Sequence, residues 1–583
     1  MKLLLAIIGI VIAHQILLFA PFTIFFTTPI LNIKRSHEVS THGLAKRLVI
    51  FSAGGVKESV FYKNLPNIKF LNKLINEGRA LFGVGETYLP THDTRANYIA
   101  STAGVYEDVL GMILKTNPVK IDTIFDRARK SFLFGSQNVI KLFDKNTDNI
   151  KTFPFIQKSK KYSNYEISSN WIFDRVKQFY KNYSFTQEES KIITFIHLES
   201  TDIVGHIFKP TSKEYLDMLI EIDKNISEVY RMIETIYPDH STAYIFTSDH
   251  GISDFGRHDD NSIFERQVPF IAWGPGVQVY RRKQHIKQID IAAYISSLIG
   301  IGIPKNNLGI VPQNFLKSSP TYKYQASCGN LKQMVEQYLI KREEVFNHTF
   351  FFKEDTQFTQ ETLTTLTKEV TRLAEHRRYD TAASMCLEHC IYLENEFLNL
   401  KLISIPSSSD DAIFGRFSNQ EYQRAYTAMS LLLVAFFATD NITSFTICNI
   451  NITIPSFFKI FSSTTVYYLL LLKKIIPLFV VTLAICNTLA RKAGALYRFS
   501  ILIMLLSNVM AFFMFLQLKD EGTLVEIGVA LSNYIISITL SLLVFVLLNI
   551  GNLLMLWDCP NIRIFFQLQD PSIENEKKNK ESV

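Results

Sequence analysis

Cysteine is scarce in this chain. Six residues, Cys328, Cys386, Cys390, Cys448, Cys486 and Cys559, are spread through 583 positions, a density that excludes a disulfide-stapled scaffold. No Cys/His spacing matches a zinc finger. Cys386 and Cys390 stand one helical turn apart, and a bridge to Cys328 or Cys448 is open in an oxidising lumen, but the sequence chooses no pairing. Charge of one sign is equally thin: the formal net charge is +7, with no long basic stripe, which argues against a nucleic-acid partner. The KSKK run at Lys158 to Lys161 reads as a solvated loop. No internal repeat or low-complexity tract is evident before the charged tail.

Apolar residues, by contrast, are abundant. They make up 47% of the chain, mean hydropathy is +0.11, and they concentrate at the two ends. A chain this long should divide into two or more units. Leu3 to Phe26 is an almost unbroken apolar run behind Lys2, so residues 1–27 read as an uncleaved signal-anchor helix. Three further spans fall at about 465–490, 499–518 and 524–556, giving a membrane domain over 465–560 and a charged cytosolic tail over 561–583. Arg491, Lys492 and Arg498 occupy the first short loop, and Arg563 with the KKNK lysines follows the last span. The positive-inside rule then puts both termini in the cytosol and residues from about 28 to 464 in the lumen. Sequons starting at Asn182, Asn225, Asn347, Asn441 and Asn451 all fall in that lumenal stretch.

Between the ends, 28–325 reads as one α/β domain. Arg47 to Ser52, Ile192 to Leu198, Ala243 to Thr247 and Val268 to Trp273 are short, β-prone and bounded by turn residues, while Tyr215 to Ile236 and Ile289 to Leu298 show helical spacing. Strands alternating with helices imply a mostly parallel sheet covered by helices on both faces. Residues 326–464 form a helical lumenal connector, with heptad-like patterns at Leu331 to Glu344 and Thr362 to Leu398.

Polar residues gather just beyond these apolar runs. The fragments FIHLESTDIVGH, YIFTSDHG and FGRHD supply Asp202, His206, Asp249, His250 and His258. In parallel sheets ligands collect beyond the carboxyl ends of the strands, and carboxylates with imidazoles suit zinc. Two divalent metals can clamp the entering and leaving oxygens of a phosphoryl group. Asp202 and His206, four residues apart, can reach one metal from a turn.

KRLVIFSAGG, YLPTHDTRANYIASTAGVYEDV, FIHLESTDIVGHIFKPTSKEY, YIFTSDHGISDFGRHDD with PFIAWGPGV, NNLGIVP and the membrane piece LSNVMAFFMFLQLKDEGTLVEIG together resemble the alkaline-phosphatase superfamily. Within it they are similar to the GPI ethanolamine phosphate transferases that modify the first mannose. The resemblance covers most of residues 1–320 and returns near the C-terminus. It implies an alkaline-phosphatase-like fold for 28–325, an endoplasmic-reticulum membrane location, and phosphatidylethanolamine and a GPI-precursor glycolipid as partners. It also implies two zinc ions: Asp202, His206 and His258 on one, Asp249 and His250 with a threonine nucleophile on the other. The family's Pro-Thr-x-Ser-Arg-Pro-Gly-His segment corresponds to Pro90-Thr91-His92-Asp93-Thr94-Arg95-Ala96-Asn97-Tyr98. Thr91 keeps the Pro-Thr pair, Thr94 is the other hydroxyl candidate, and Tyr98 replaces the terminal histidine. Family members carry more membrane spans.

One departure matters chemically. The family's Asp-Gly pair, which supplies a ligand to the second zinc, is Gly54-Gly55 here. A glycine cannot coordinate, so the second metal should bind weakly unless Asp93 bends inward. The readings in play are an ethanolamine-phosphate transferase, an inactive relative that binds GPI precursor or a membrane partner, and a hydrolase using water as acceptor. A sulfatase is disfavoured because no Cys-x-Pro-x-Arg or Ser-x-Pro-x-Arg motif occurs.

Overall fold

A computed structural model of the chain describes residues 42–87, 94–107, 119–156, 165–183, 189–256, 263–348 and 359–400, with isolated residues elsewhere. The chain divides into two compact units, one of residues 24–407 with 520–525, the other of 1–23, 408–519 and 526–583. Among the described residues no helix is long and apolar enough to cross a membrane. The spans read from sequence at 3–26 and 465–490 lie outside the described residues, as do most positions of those at 499–518 and 524–556.

The first unit is built on eight strands: β1 (Arg47–Ala53), β2 (Ala80–Glu86), β3 (Lys130–Ser136), β4 (Ile150–Phe155), β5 (Ile192–Leu198), β6 (Thr242–Thr247), β7 (Gln267–Trp273) and β8 (Gln284–Lys287). Their order is β4-β3-β5-β1-β6-β7-β2-β8. Strands β4, β3, β5, β1 and β6 run parallel to one another, while β7 is antiparallel to both β6 and β2. The sheet is therefore mixed but mostly parallel.

Strands buried on both faces must be apolar at successive positions rather than alternate ones, and β1 shows why. Leu48 and Ile50 enter one core with Leu133, Phe195 and Ile245. Val49, Phe51 and Ala53 enter the other with Phe134, Ile196 and Phe246. Helices α1 (Lys69–Asn76), α3 (Tyr165–Asn182) and α5 (Lys213–Ile236) cover the second core, while α2 (Thr94–Ala103) and α6 (Asp290–Ile299) cover the first. Asp223 of α5 accepts from the amides of Phe70 and Leu71 at 2.8 and 2.9 Å, satisfying first-turn donors that α1 cannot satisfy itself. The short helix α4 (Ser200–Phe208) follows β5 directly.

Beyond the sheet lie α7 (Pro320–His348), α8 (Gln360–Glu375) and α9 (Tyr379–Leu400). Their cluster of Met334, Tyr338, Val370 and Leu393 is closed by a Cys328–Cys386 disulfide, the pairing the sequence left open. Cys390 is buried and unpaired. Asn225 is buried within α5, where its Nδ2 donates to the Glu221 carbonyl. This sequon therefore offers no accessible acceptor in the folded protein.

Candidate active site

Three neighbouring strands end where the predicted ligands begin. β1 runs into Gly54-Gly55, β5 into α4 with Asp202 and His206, and β6 into Ser248-Asp249-His250. The parallel register pairs Ala53 with Leu198, and the Gly54 amide donates to the Leu198 carbonyl at 2.8 Å. The Gly54-Gly55 turn is held by its carbonyls: Thr201 Oγ1 donates to Gly54 and Tyr215 Oη to Gly55. Val56 N donates to Ser248 Oγ, which in turn donates to the His250 carbonyl.

The two glycines differ sharply. Gly55 has φ +64°, and a β-carbon there would fall 2.6 Å from Asp202 Oδ1 and 2.9 Å from Asp202 Cα. That position requires glycine. A β-carbon at Gly54 would instead make ordinary contacts, 3.4 Å to Asp202 Cβ and 3.7 Å to Asp249 Oδ1. Gly54 is thus a cradle between two carboxylate residues with room for a side chain that this chain does not have.

The imidazoles of His206 and His250 are each oriented through Nδ1. His206 Nδ1 lies 2.7 Å from the Gly256 carbonyl and His250 Nδ1 2.9 Å from the Gly251 carbonyl. A carbonyl only accepts, so each Nδ1 carries the proton and, in the neutral ring, Nε2 presents a lone pair. His206 Nε2 then faces Asp202 Oδ1 at 3.4 Å, and His250 Nε2 faces Asp249 Oδ2 at 3.5 Å. Two lone pairs at that distance call for a proton or a cation between them. Thr94, the first residue of α2, places Oγ1 3.5 Å from His250 Nε2.

Beneath Thr94 the start of α2 is clamped. Arg95 Nε donates to both oxygens of Glu107 at 2.9 and 3.0 Å, and Nη1 donates to Asn117 Oδ1 at 2.7 Å. Tyr98 bonds Ser52 Oγ at 2.8 Å and meets the His197 ring edge-on.

The site is electrostatically tense. Burial raises the Asp249 pKa, with the Asp202 charge adding to it, and nearby His250 and the backbone amides only partly offset this. Neither Asp249 oxygen makes a well-formed hydrogen bond, although the side chain is essentially inaccessible. Burial works against charge on His250, but Asp249, Asp202 and the Gly251 carbonyl outweigh it and raise its pKa. Glu199 is raised first by burial and then by Asp202. His197, behind Glu199, is pushed down to about 3 by burial and stays neutral.

Of the residues read from the sequence, Asp202, His206, Asp249, His250 and Thr94 come together at one edge. Thr91, Asp93 and His258 lie outside the described residues. Among the described residues no group of three or more His, Cys, Asp or Glu is placed to hold a metal ion. The donors present are two carboxylate–imidazole pairs. A fully buried carboxylate without good hydrogen bonds, two inward Nε2 atoms and an unfilled cradle fit divalent cations such as zinc. The sequence reading passed over Glu199, Ser136, His197 and the Arg95–Glu107 clamp. His197 and Glu199 stand in the fragment that carries Asp202, and Arg95 in the one that carries Thr94, but none was given a role.

Comparison with known proteins agrees with this architecture. Residues 122–300 match the type I phosphodiesterase / nucleotide pyrophosphatase family and residues 381–523 match the phosphatidylinositolglycan class N (PIG-N) family. GPI ethanolamine phosphate transferase 1 of Aspergillus oryzae is 30% identical over 57% of this chain and 38% of that protein. The Mus musculus protein of the same name is 28% identical over 64% of this chain and 44% of its own. That of Saccharomyces cerevisiae is 27% identical over 67% and 47%. The chain thus spans less than half the length of these relatives. A solved C-terminal periplasmic domain of EcEptC from Escherichia coli, in complex with Zn, aligns at 11% identity and a TM-score of 0.32, over 46% of this chain and 84% of that one. A likeness that loose carries no weight for the site. By these matches the chain is similar to GPI ethanolamine phosphate transferase 1 over part of that protein's length, and to the type I phosphodiesterase / nucleotide pyrophosphatase family over its central residues.

Proposed function

We propose that this chain moves phosphoethanolamine from phosphatidylethanolamine to the first mannose of a GPI precursor, as a multi-pass protein of the endoplasmic-reticulum membrane with its sheet domain in the lumen. The observation that carries this reading is the convergence of Asp202, His206, Asp249 and His250 at one strand edge, with the Thr94 hydroxyl 3.5 Å from His250 Nε2. In this reading Asp202 and His206, joined by His258, hold one zinc, and Asp249 with His250 holds the second. Bound there, zinc would neutralise charge on the phosphoryl oxygens and favour the ionised hydroxyl.

The rest falls to the chain's own groups. A threonine hydroxyl, Thr94 or Thr91, is the nucleophile. Its oxygen bonds to phosphorus as the bond from phosphorus to the diacylglycerol oxygen breaks. The threonine proton passes to solvent, and the departing oxygen takes one up. The mannose hydroxyl then displaces threonine from phosphorus in the reverse sense. The Arg95–Glu107 clamp fixes the helix start that presents Thr94.

Gly54 favours a second reading, in which the chain binds the precursor or a membrane partner but turns over poorly. Room for a side chain between Asp202 and Asp249, with none present, supports it. The test is rescue of cells lacking the first-mannose transferase by the unaltered chain and by Gly54→Asp. Full rescue by the unaltered chain supports the transferase. Rescue by Gly54→Asp alone supports the impaired form, and rescue by neither contradicts both catalytic readings.

A further inference from the structure

We propose that the strand-end edge of the sheet domain seats on a lipid bilayer through exposed apolar side chains that surround the candidate site. The inference rests on the membrane reading given above and names the surface by which the chain meets the bilayer. Among the described residues of this unit the exposed large apolar side chains are Ile156, Trp171, Ile207, Phe208, Phe255 and Ile391. The first five come from four separate segments, and the topology brings all four to one edge.

Strands β4, β3, β5, β1 and β6 are parallel, so their carboxyl ends share that edge. Ile156 follows β4 directly. Phe155 pairs with Ser136, and Phe134, two residues earlier on β3, pairs with Ile196. The end of β4 is therefore level with Leu198 at the end of β5. The Trp171 ring of α3 lies 5.3 Å from the Phe155 ring. Ile207 and Phe208 close the last turn of α4, next to His206. Phe255 is 75% exposed and precedes Gly256, whose carbonyl holds His206 Nδ1. Asp254, before it, is tied to Lys57, three residues beyond Gly54.

A single exposed apolar side chain is ordinary, but five at one edge, on two sides of the same imidazole, call for an apolar partner. The chemistry is that of a bilayer surface. The apolar side chains arise from separate segments interspersed with cations: Lys209 and Lys213 are exposed beside Phe208, and Ile156 is followed in sequence by Lys158, Lys160 and Lys161. Apolar side chains that enter the acyl boundary, an indole at the interface and lysines at the level of the headgroup phosphates are what a membrane-surface element presents. A protein interface of the same extent would instead be depleted of lysine at its core. Seated this way, the site meets a lipid's phosphoryl group at headgroup level, without drawing the lipid out of the bilayer.

The test is tryptophan quenching in the full chain reconstituted into phosphatidylcholine nanodiscs whose acyl chains are plain or brominated. Phe255→Trp and Ile207→Trp report on the edge. Asn76→Trp is the control, because exposed Asn76 ends α1 just before β2 begins at the opposite edge. The expected result is a loss of the added emission in brominated discs roughly twofold or more greater for Phe255→Trp and Ile207→Trp than for Asn76→Trp, as insertion to the acyl boundary requires. Equal quenching at all three positions overturns the proposal. Blue-shifted emission from Phe255→Trp and Ile207→Trp without quenching also overturns it, because a protein surface then covers the edge. Trp171→Phe gives a reading with no tryptophan added: it should remove a quenched component of the wild-type emission, and removal of an unquenched one contradicts the proposal. A chain that stays dispersed without detergent or lipid overturns the membrane reading itself. Quenching as expected in a chain that fails the rescue test supports the docking edge and removes only the transferase reading.

Discussion

Asp249 directs its carboxylate at Gly54: a β-carbon on that glycine would lie 3.7 Å from Asp249 Oδ1, in ordinary van der Waals contact. Gly54→Ala should therefore fold normally, with a stability change within about 1 kcal/mol. Gly55→Ala should not, since its β-carbon would meet Asp202 Cα at 2.9 Å at a φ of +64°. It should cost about 1–3 kcal/mol or more. Thermal melts of the two variants check this, and equal midpoints would contradict the geometry.

The Arg95–Glu107 pair is buried, with side-chain exposures of 7% and 6%. Removing one partner leaves the other charge uncompensated, so Glu107→Gln should destabilise by about 3–5 kcal/mol. Replacing both by apolar residues of similar volume should cost much less. A double-mutant cycle on denaturant midpoints measures the coupling, and a coupling near zero would refute the clamp.

Asp290 predicts a pH dependence. Burial pushes its pKa up to about 7, the Ile310 amide opposing and Glu394 adding to the effect. Between the unfolded carboxyl value near pH 4 and about pH 7, the folded form is protonated while the unfolded form is not. Stability is then greatest at the acid end and falls as pH rises, by up to about 1.4 kcal/mol per unit, levelling off above about pH 7. In Asp290→Asn this component of the slope should vanish. Melting midpoints of wild type and variant from pH 5 to 8 test it, and parallel curves would contradict the assignment.

The Cys328–Cys386 bridge closes a sequence separation of 58 residues between α7 and α9. Cys386→Ser should lower the stability of the helical layer by about 2–5 kcal/mol. Cys390→Ser should not repeat this, because Cys390 is outside the bridge. Mass spectrometry of unreduced peptides should recover the 328–386 pair, and a 328–390 pair would contradict the structure.

The legible parts of the chain were the central ones. β1, β5, β6 and β7 are apolar runs buried on both faces, and their ends coincide with the fragments that carry Asp202, Asp249 and His250. β2 was hidden by Gly83 and Gly85, β4 by Pro154 at a sheet edge, and β8 by its length of 4 residues. Nearest-neighbour pairing was also illegible: β1 and β5 are far apart in sequence, so the placement of Asp202 beside Gly54 could not be read from spacing. The Arg95–Glu107 clamp escaped although its partners stand 12 residues apart within one quoted fragment, because nothing in their spacing marks a buried ion pair.

The most direct test of the account is zinc content per chain in the purified full-length protein, for wild type, Asp202→Asn and Asp249→Asn. The account predicts bound zinc in wild type and a loss in each variant, larger and nearly complete when both are combined. Zinc-free wild type, or zinc content indifferent to both substitutions, would contradict it.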